Sequence, residues 1–435
     1  MAASVLSADQ RIGKANRNLQ INALSNIASG GITAVLGLAY WALAARLYPA
    51  SEVGAAAALI SAGLMLATLS NLSLGSMYER FLSSAGTSAR PLLIRGFLLV
   101  AAFALLASIV MILVGPREQL FATTSAMVAY PVFVVVLAVY ALQDQTASGL
   151  GVARWAAAKN IFHAVIKLAL LCAGAFVLAE ATTITLSWAI PAAVATAVLM
   201  WALLRSIGRR SRFAAPPALP PRRELWSFFA TSYGITALTA ITPLVLPLIV
   251  VAQLGTEANA YFAISWSIAA ALFTVLHMVV SPYVAEAARH PEGIPSLTRK
   301  IVLILAVLVA GGAFFLVVIA PPVLGFLGEQ YRADGAPLLF LIAAFTPLFA
   351  LEVFYTAIAR IRRKLVLAVA TQTVNTIIVM TGVILLIGDI GIVSIGWSYL
   401  AAYAVTAAIL IVPLLRGVRE ITRDPEAILG EPLVV

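Results

Sequence analysis

The sequence predicts an all-α polytopic membrane protein of about twelve transmembrane helices, in two six-helix lobes related by a parallel pseudo-repeat. Three observations carry this. The chain is 62% hydrophobic and 11% charged, where a soluble domain carries about a quarter charged residues. Long apolar runs recur with only short polar breaks between them. Lysine and arginine also cluster on alternate breaks: 24 of 28 lie on the side of the N-terminus, against Arg46, Arg117 and Arg332 on the other, with Lys167 inside a run. That asymmetry predicts both termini in the cytoplasm. The net charge of +10 is therefore a topology signal with a secondary attraction to anionic lipid, and no nucleic-acid partner is expected.

The helices are expected over roughly 20–46, 53–77, 92–114, 121–142, 160–180, 183–204, 225–251, 259–282, 300–320, 336–358, 366–387 and 392–415. Segment 1–19 is polar and basic but leads into a span of normal length, so no cleavable signal peptide is expected. Helix 1 gathers Asn22, Ser25, Asn26, Ser29 and Thr33 within roughly 100° of arc while its leucines and valines point away. Helix 5, KNIFHAVIKLALLCAGAFVLAE, sets Asn160, His163 and Lys167 within roughly 60° on one side of an apolar run. The longest break, 205–224, is basic and proline-rich and separates an N-lobe at 20–204 from a C-lobe at 225–415, with a cytoplasmic tail at 416–435. Helix 7 contains TPLVLP, where Pro243 and Pro247 each remove a backbone hydrogen bond. They are candidates for a bend that gates the outer side, or are simply tolerated in a membrane helix. Helix 10 carries Glu352, read as the only clearly intramembrane acid, and helix 11 sets Thr371, Gln372, Asn375 and Thr376 on one side.

The halves resemble each other. ARLYPASEVGAAAALISA after helix 1 matches VAQLGTEANAYFAISWSI after helix 7, with Glu52 over Glu257. GVARWAAAKNIFHAVIK matches IARIRRKLVLAVATQTVN, with Lys167 over Asn375 at an offset of 208. Each lobe starts on the same side, so the repeat is parallel, as in an alternating-access transporter with a cleft between its bundles. The polar stripes at related places suit a cavity lining, although Ser, Thr and Asn also serve as glue between helices. A lysine near a helix end can equally snorkel its ammonium toward the headgroups.

Enzyme classes fit poorly. The longest outer loop is only about fifteen residues, the three histidines lie far apart, and the single Cys172 permits neither an internal disulfide nor a thiolate metal site. No phosphate loop or nucleophile elbow stands out, so neither catalytic residues, a metal nor a cofactor is expected. SMYERFLSSAGTSARP lacks the pattern of a major-facilitator transporter.

One stretch, ARLYPASEVGAAAALISAGLMLATLSNLSLGSMYERFLSS, resembles the polysaccharide transport family. These are the O-antigen (Wzx-type) flippases of the multidrug/oligosaccharidyl-lipid/polysaccharide (MOP) superfamily. Ala45, Arg46, Pro49 and Gly54 match that family's turn after helix 1, and Gly75 and Arg80 its exit from helix 2. The resemblance implies a bacterial-type inner-membrane flippase that moves a polyprenyl-diphosphate-linked oligosaccharide from the cytoplasmic to the outer leaflet. It would work among membrane lipids beside polysaccharide polymerase or glycosyltransferases of the same pathway. Asn160, His163 and Lys167 would then receive the diphosphate, Arg80, Arg154 and Lys159 would gather it at the mouth, and Asn22, Asn26, Glu352, Gln372 and Asn375 would line the cavity. Two departures bear on this. Related lipid II flippases usually have fourteen helices and a deep arginine cluster, where this chain has twelve and no such cluster. Many cation-coupled multidrug relatives place acidic residues in the bundle core, where this chain has Glu352 alone. The alternative is a drug or small-solute exporter of the same superfamily.

Overall fold

The computed structural model describes residues 29–121, 123–210, 221–289, 293–362 and 364–423. Asn22 and Asn26 lie outside them. The described residues form helix after helix, without a strand. In order these are α1 (Ser29–Leu47), α2 (Ala50–Ser70), α3 (Leu74–Phe81), α4 (Ala89–Val114), α5 (Arg117–Leu120), α6 (Thr124–Gly149), α7 (Ala153–Ala175) and α8 (Ala181–Arg210). They continue with α9 (Arg222–Leu254), α10 (Thr256–Arg289), α11 (Ile294–Phe314), α12 (Ala320–Leu327), α13 (Glu329–Ile361), α14 (Val366–Ile390) and α15 (Val393–Arg423). A π-helical turn, Phe315–Ile319, joins α11 to α12, so that helix 9 of the sequence is one long apolar run. Eleven spans among the described residues are long and apolar enough to cross a membrane, and α9 adds the shorter apolar stretch Ala240–Leu254. Their outward sides stay apolar: Leu113, Val128, Trp201, Phe326 and Leu385 are all exposed. Apolar helix faces of this length are solvated by lipid rather than water.

Most boundaries shift from those expected. Helix 10 begins at Glu329 and not at 336, so most of the expected outer loop before it is helical. Three other shifts have a local cause or bear on the polar residues. Helix 2 stops at Ser70, because Leu72 (φ 47°) and Ser73 (φ 50°) adopt the left-handed conformation and turn the chain into the separate α3. Asn71 holds the break: its Nδ2 donates to Ala67 O at 3.1 Å and to Ala138 O at 3.3 Å. Helix 4 does not end at 142 but runs to Gly149, which carries Asp144 into the span. Helix 5 begins at Ala153, so Arg154 and Lys159 are helical residues and not part of a loop.

Chain contacts divide the molecule into two compact units, residues 1–248 and 249–435. The division falls inside α9, which stays helical through Pro243 and Pro247. In the first unit α2 is the most enclosed span, and its small residues are the reason. A Cβ on Gly63 would lie 3.1 Å from Leu137 Cδ1 and 3.2 Å from Phe133 Cε1, so α2 meets α6 almost backbone to side chain. α1 is strapped to its neighbours by directed bonds: Ser29 Oγ to Ala157 O (3.3 Å), Tyr40 OH to Ile184 O (3.0 Å) and Tyr48 OH to Leu171 O (2.8 Å). Glu52 Oε2 accepts from Ala181 N at 2.7 Å and caps α8, where a carboxylate complements the helix dipole. Its repeat partner Glu257 instead accepts from Tyr261 OH at 2.5 Å. In the second unit α13 is the enclosed span, packed against α10, α12 and α15.

Candidate functional site

In the first unit α7 turns one face toward α1, α6 and α8. Its alanines 153, 156, 157 and 164 are buried and allow close packing, while residues 159, 160, 163 and 167 bring polar groups to the same face. Lys159 is 5% exposed; its Nζ lies 2.7 Å from Asp144 Oδ1, donates to Tyr140 O at 2.6 Å, and sits 3.3 Å over the Tyr140 ring. Asn160 donates from Nδ2 to Asp144 Oδ2 (3.1 Å) and accepts from Tyr140 OH (2.6 Å). One carboxylate thus takes a cation and an amide from adjacent residues of α7.

His163 lies one turn further on. Its Nε2 is 3.1 Å from Trp188 O. A carbonyl only accepts, so Nε2 carries the hydrogen. The ring packs against Tyr140 and Trp188 at centroid distances of 5.3 and 5.5 Å.

Lys167 is also 5% exposed, but among the described residues no carboxylate pairs with it. Its ammonium lies 3.4 Å over the Trp188 ring and 4.9 Å from that of Tyr40. Those rings are themselves fixed. Tyr40 is fully buried, with its OH bonded to Ile184 O and 2.9 Å from Ser187 Oγ, and Tyr40, Trp41 and Trp188 pack edge to face or tilted within 6.3 Å. A desolvated cation–π contact is worth about 2 kcal/mol, which offsets only part of the cost of withdrawing an ammonium from water. The lysine turns inward to an aromatic cage instead of extending away from it.

The second unit carries a different polar centre. Glu352 of α13 accepts from Asn375 Nδ2 of α14 at 2.7 Å and from Thr406 Oγ1 of α15 at 3.4 Å, and Thr406 also reaches Asn375 Oδ1 at 3.4 Å. Gln372 lies half-buried one turn before Asn375. Along the same faces of α13 and α15, Phe345, Tyr399 and Tyr403 stack with centroids 5.3–5.9 Å apart, and Trp266 of α10 lies 5.2 Å from Tyr399.

Lys159, Asn160, His163 and Lys167 are therefore brought together, as are Glu352 and Asn375. Arg80 and Arg154 stand exposed, Arg80 with its guanidinium 5.3 Å from the Phe81 ring. Pro243 is half-buried and Pro247 buried. Lys159 is not an open mouth residue: it is enclosed and ion-paired. Sequence reasoning missed its partner, because helix 4 was ended two residues too early for Asp144. Glu352 is accordingly not the only acid within a span. A signal existed: Asp144 lies 208 residues before Glu352, the offset that sets Lys167 over Asn375. Tyr40 and Trp188 were missed for another reason, since an aromatic residue in an apolar run reads as core.

No family model and no curated protein matches the sequence. Solved structures do. An inward-facing multidrug resistance MATE family transporter of the MOP superfamily aligns with a TM-score of 0.63 and 13% identity, over 90% of this chain and 96% of that one. Lipid II flippase MurJ, in an inward closed conformation, aligns with a TM-score of 0.61 and 11% identity, over 94% and 91%. The eukaryotic MATE transporter AtDTX14 aligns with 0.56 and 15%, over 95% and 99%. The chain has the fold of MOP-superfamily transporters.

Proposed function

We propose that this protein is a flippase of the inner membrane that moves a polyprenyl-diphosphate-linked oligosaccharide from the cytoplasmic to the outer leaflet by alternating access, for surface polysaccharide synthesis. The observation that carries the reading is Lys167: a buried ammonium, caged by Tyr40 and Trp188, with no carboxylate beside it among the described residues. An enclosed cation without an anion suits a substrate that brings one, and a ring cage holds the ammonium without neutralising it. His163 and Asn160 extend the same face, and the exposed Arg80 and Arg154 would draw the diphosphate in from the cytoplasm. With the cytoplasm negative, each negative charge moved outward across 100 mV gains about 2.3 kcal/mol, so the protein mainly has to offset phosphate desolvation. The shared fold supports the class, since one of the solved neighbours is a lipid II flippase. Pathway polymerases or glycosyltransferases would supply and receive the substrate.

A specific observation favours the alternative of a drug exporter. Glu352 beside the rings of Phe345, Tyr399 and Tyr403 would suit an aromatic cation, and several neighbours are multidrug transporters. Depletion of the protein decides between them. Accumulation of a lipid-linked oligosaccharide on the cytoplasmic leaflet supports the flippase; unchanged lipid-linked sugar with raised sensitivity to cationic dyes supports the exporter.

A further inference from the structure

The geometry points to Asp144 as an internal stand-in for the substrate's phosphate: a positioning residue that competes with it for Lys159 and Asn160 and so sets how fast it is released. The inference rests on the flippase reading. Asp144 takes one ammonium and one amide, on neighbouring residues of α7, which is the ligand set a phosphate oxygen pair would use. Lys159 is also held by α6 one turn before Asp144, through Tyr140 O and the Tyr140 ring, and these contacts would remain when the carboxylate is displaced. Asp144 Oδ1 closes the ion pair at 2.7 Å, while Oδ2 takes the Asn160 amide. The Asp144 side chain is 37% exposed while that of Lys159 is 2% exposed, so the carboxylate is the more accessible member of the pair.

The repeat isolates what is peculiar to this arrangement. At the same offset of 208 the second half keeps the acid as Glu352, but Leu367 stands in place of Lys159. There the carboxylate is satisfied by Asn375 and Thr406 and has no cation to withhold. An acid common to both halves needs no lysine to be accommodated, so the lysine answers a need of the first half alone. With Lys159 neutralised, Lys167 is the cation of this cluster that no carboxylate pairs among the described residues. The second is released only as the phosphate displaces the carboxylate. Two free lysines would hold a diphosphate too tightly to let it go.

The test uses the full-length protein in nanodiscs with a P1-prenyl, P2-glucosyl diphosphate diester as probe, measuring both its Kd and the turnover of transport. Asp144→Asn is expected to bind about tenfold tighter, as one added charge-assisted contact would give, and to turn over several-fold more slowly. Asp144→Glu should restore both values. Adding Lys159→Ala to Asp144→Asn should abolish the gain in affinity. A merely structural Asp144 predicts weaker or unchanged binding in Asp144→Asn, and either result overturns the inference while leaving the flippase reading intact. Failure of the wild-type protein to bind the probe overturns both.

Discussion

At the scale of single residues, the first unit is a study in how a membrane protein keeps lysines inside. Lys159 and Lys167 are equally enclosed, yet one is answered by Asp144 and the other by the faces of Trp188 and Tyr40. The two solutions predict different responses to substitution. Lys167→Ala should lower transport at least tenfold at equal protein level, and Lys167→Arg only a few-fold, because a guanidinium keeps the charge and stacks on aromatic faces. Transport assays on purified, reconstituted protein check this; normal transport by both Lys167→Ala and Lys167→Leu would remove the residue from the mechanism. Trp188→Leu removes the strongest contact of that ammonium, and should lower transport while leaving the Lys159–Asp144 pair in place. Lys159→Ala acts through another route. It leaves the part-exposed Asp144 beside Asn160 without its cation, which should cost stability by about 1 kcal/mol and show as a slightly lowered melting temperature in detergent.

At the scale of elements, periodicity and length located the spans well, while their ends followed local chemistry that hydropathy does not register. Helix 2 breaks at Leu72 and Ser73, two residues with side chains in a conformation that normally selects glycine, so no turn signal marks the place. Helix 4 continues past Gln143 and Asp144 because partners on α7 and α8 satisfy them: Gln143 donates to Thr196 O at 2.8 Å and Asp144 meets Lys159. A polar residue ends a span in the sequence, but not in a bundle that has an answer for it. The stripe of helix 5 was legible because its polar residues stand out against apolar neighbours, whereas its cage, Tyr40 and Trp188, is aromatic and merges with the core. Two predictions belong here. Replacing Gly63 by Val forces groups into contact between α2 and α6 and should destabilise the protein by about 1–3 kcal/mol, read as a fall in melting temperature. Replacing Pro243 and Pro247 together by Ala returns two backbone hydrogen bonds to α9; if that bend gates transport, flux should slow while expression is unchanged.

At the scale of the whole molecule, orientation follows from charge. Reporter fusions at residues 215 and 362 should read cytoplasmic and those at 118 and 330 external, because six basic residues lie within 205–223 and four within 360–364. An external signal at 215 would invert the proposed direction of transport as well as the topology. Glu52 over Glu257, Lys167 over Asn375 and Asp144 over Glu352 are relations of the sequence, the last two at the same offset of 208. The surroundings of Asp144 and Glu352 nevertheless differ. Asp144 meets a lysine and an amide, whereas Glu352 meets an amide and a hydroxyl. Two acids at one offset thus sit in a basic setting and a neutral one. Under the proposed function, a cargo charged at one end and neutral at the other would find unlike polarity waiting for each end.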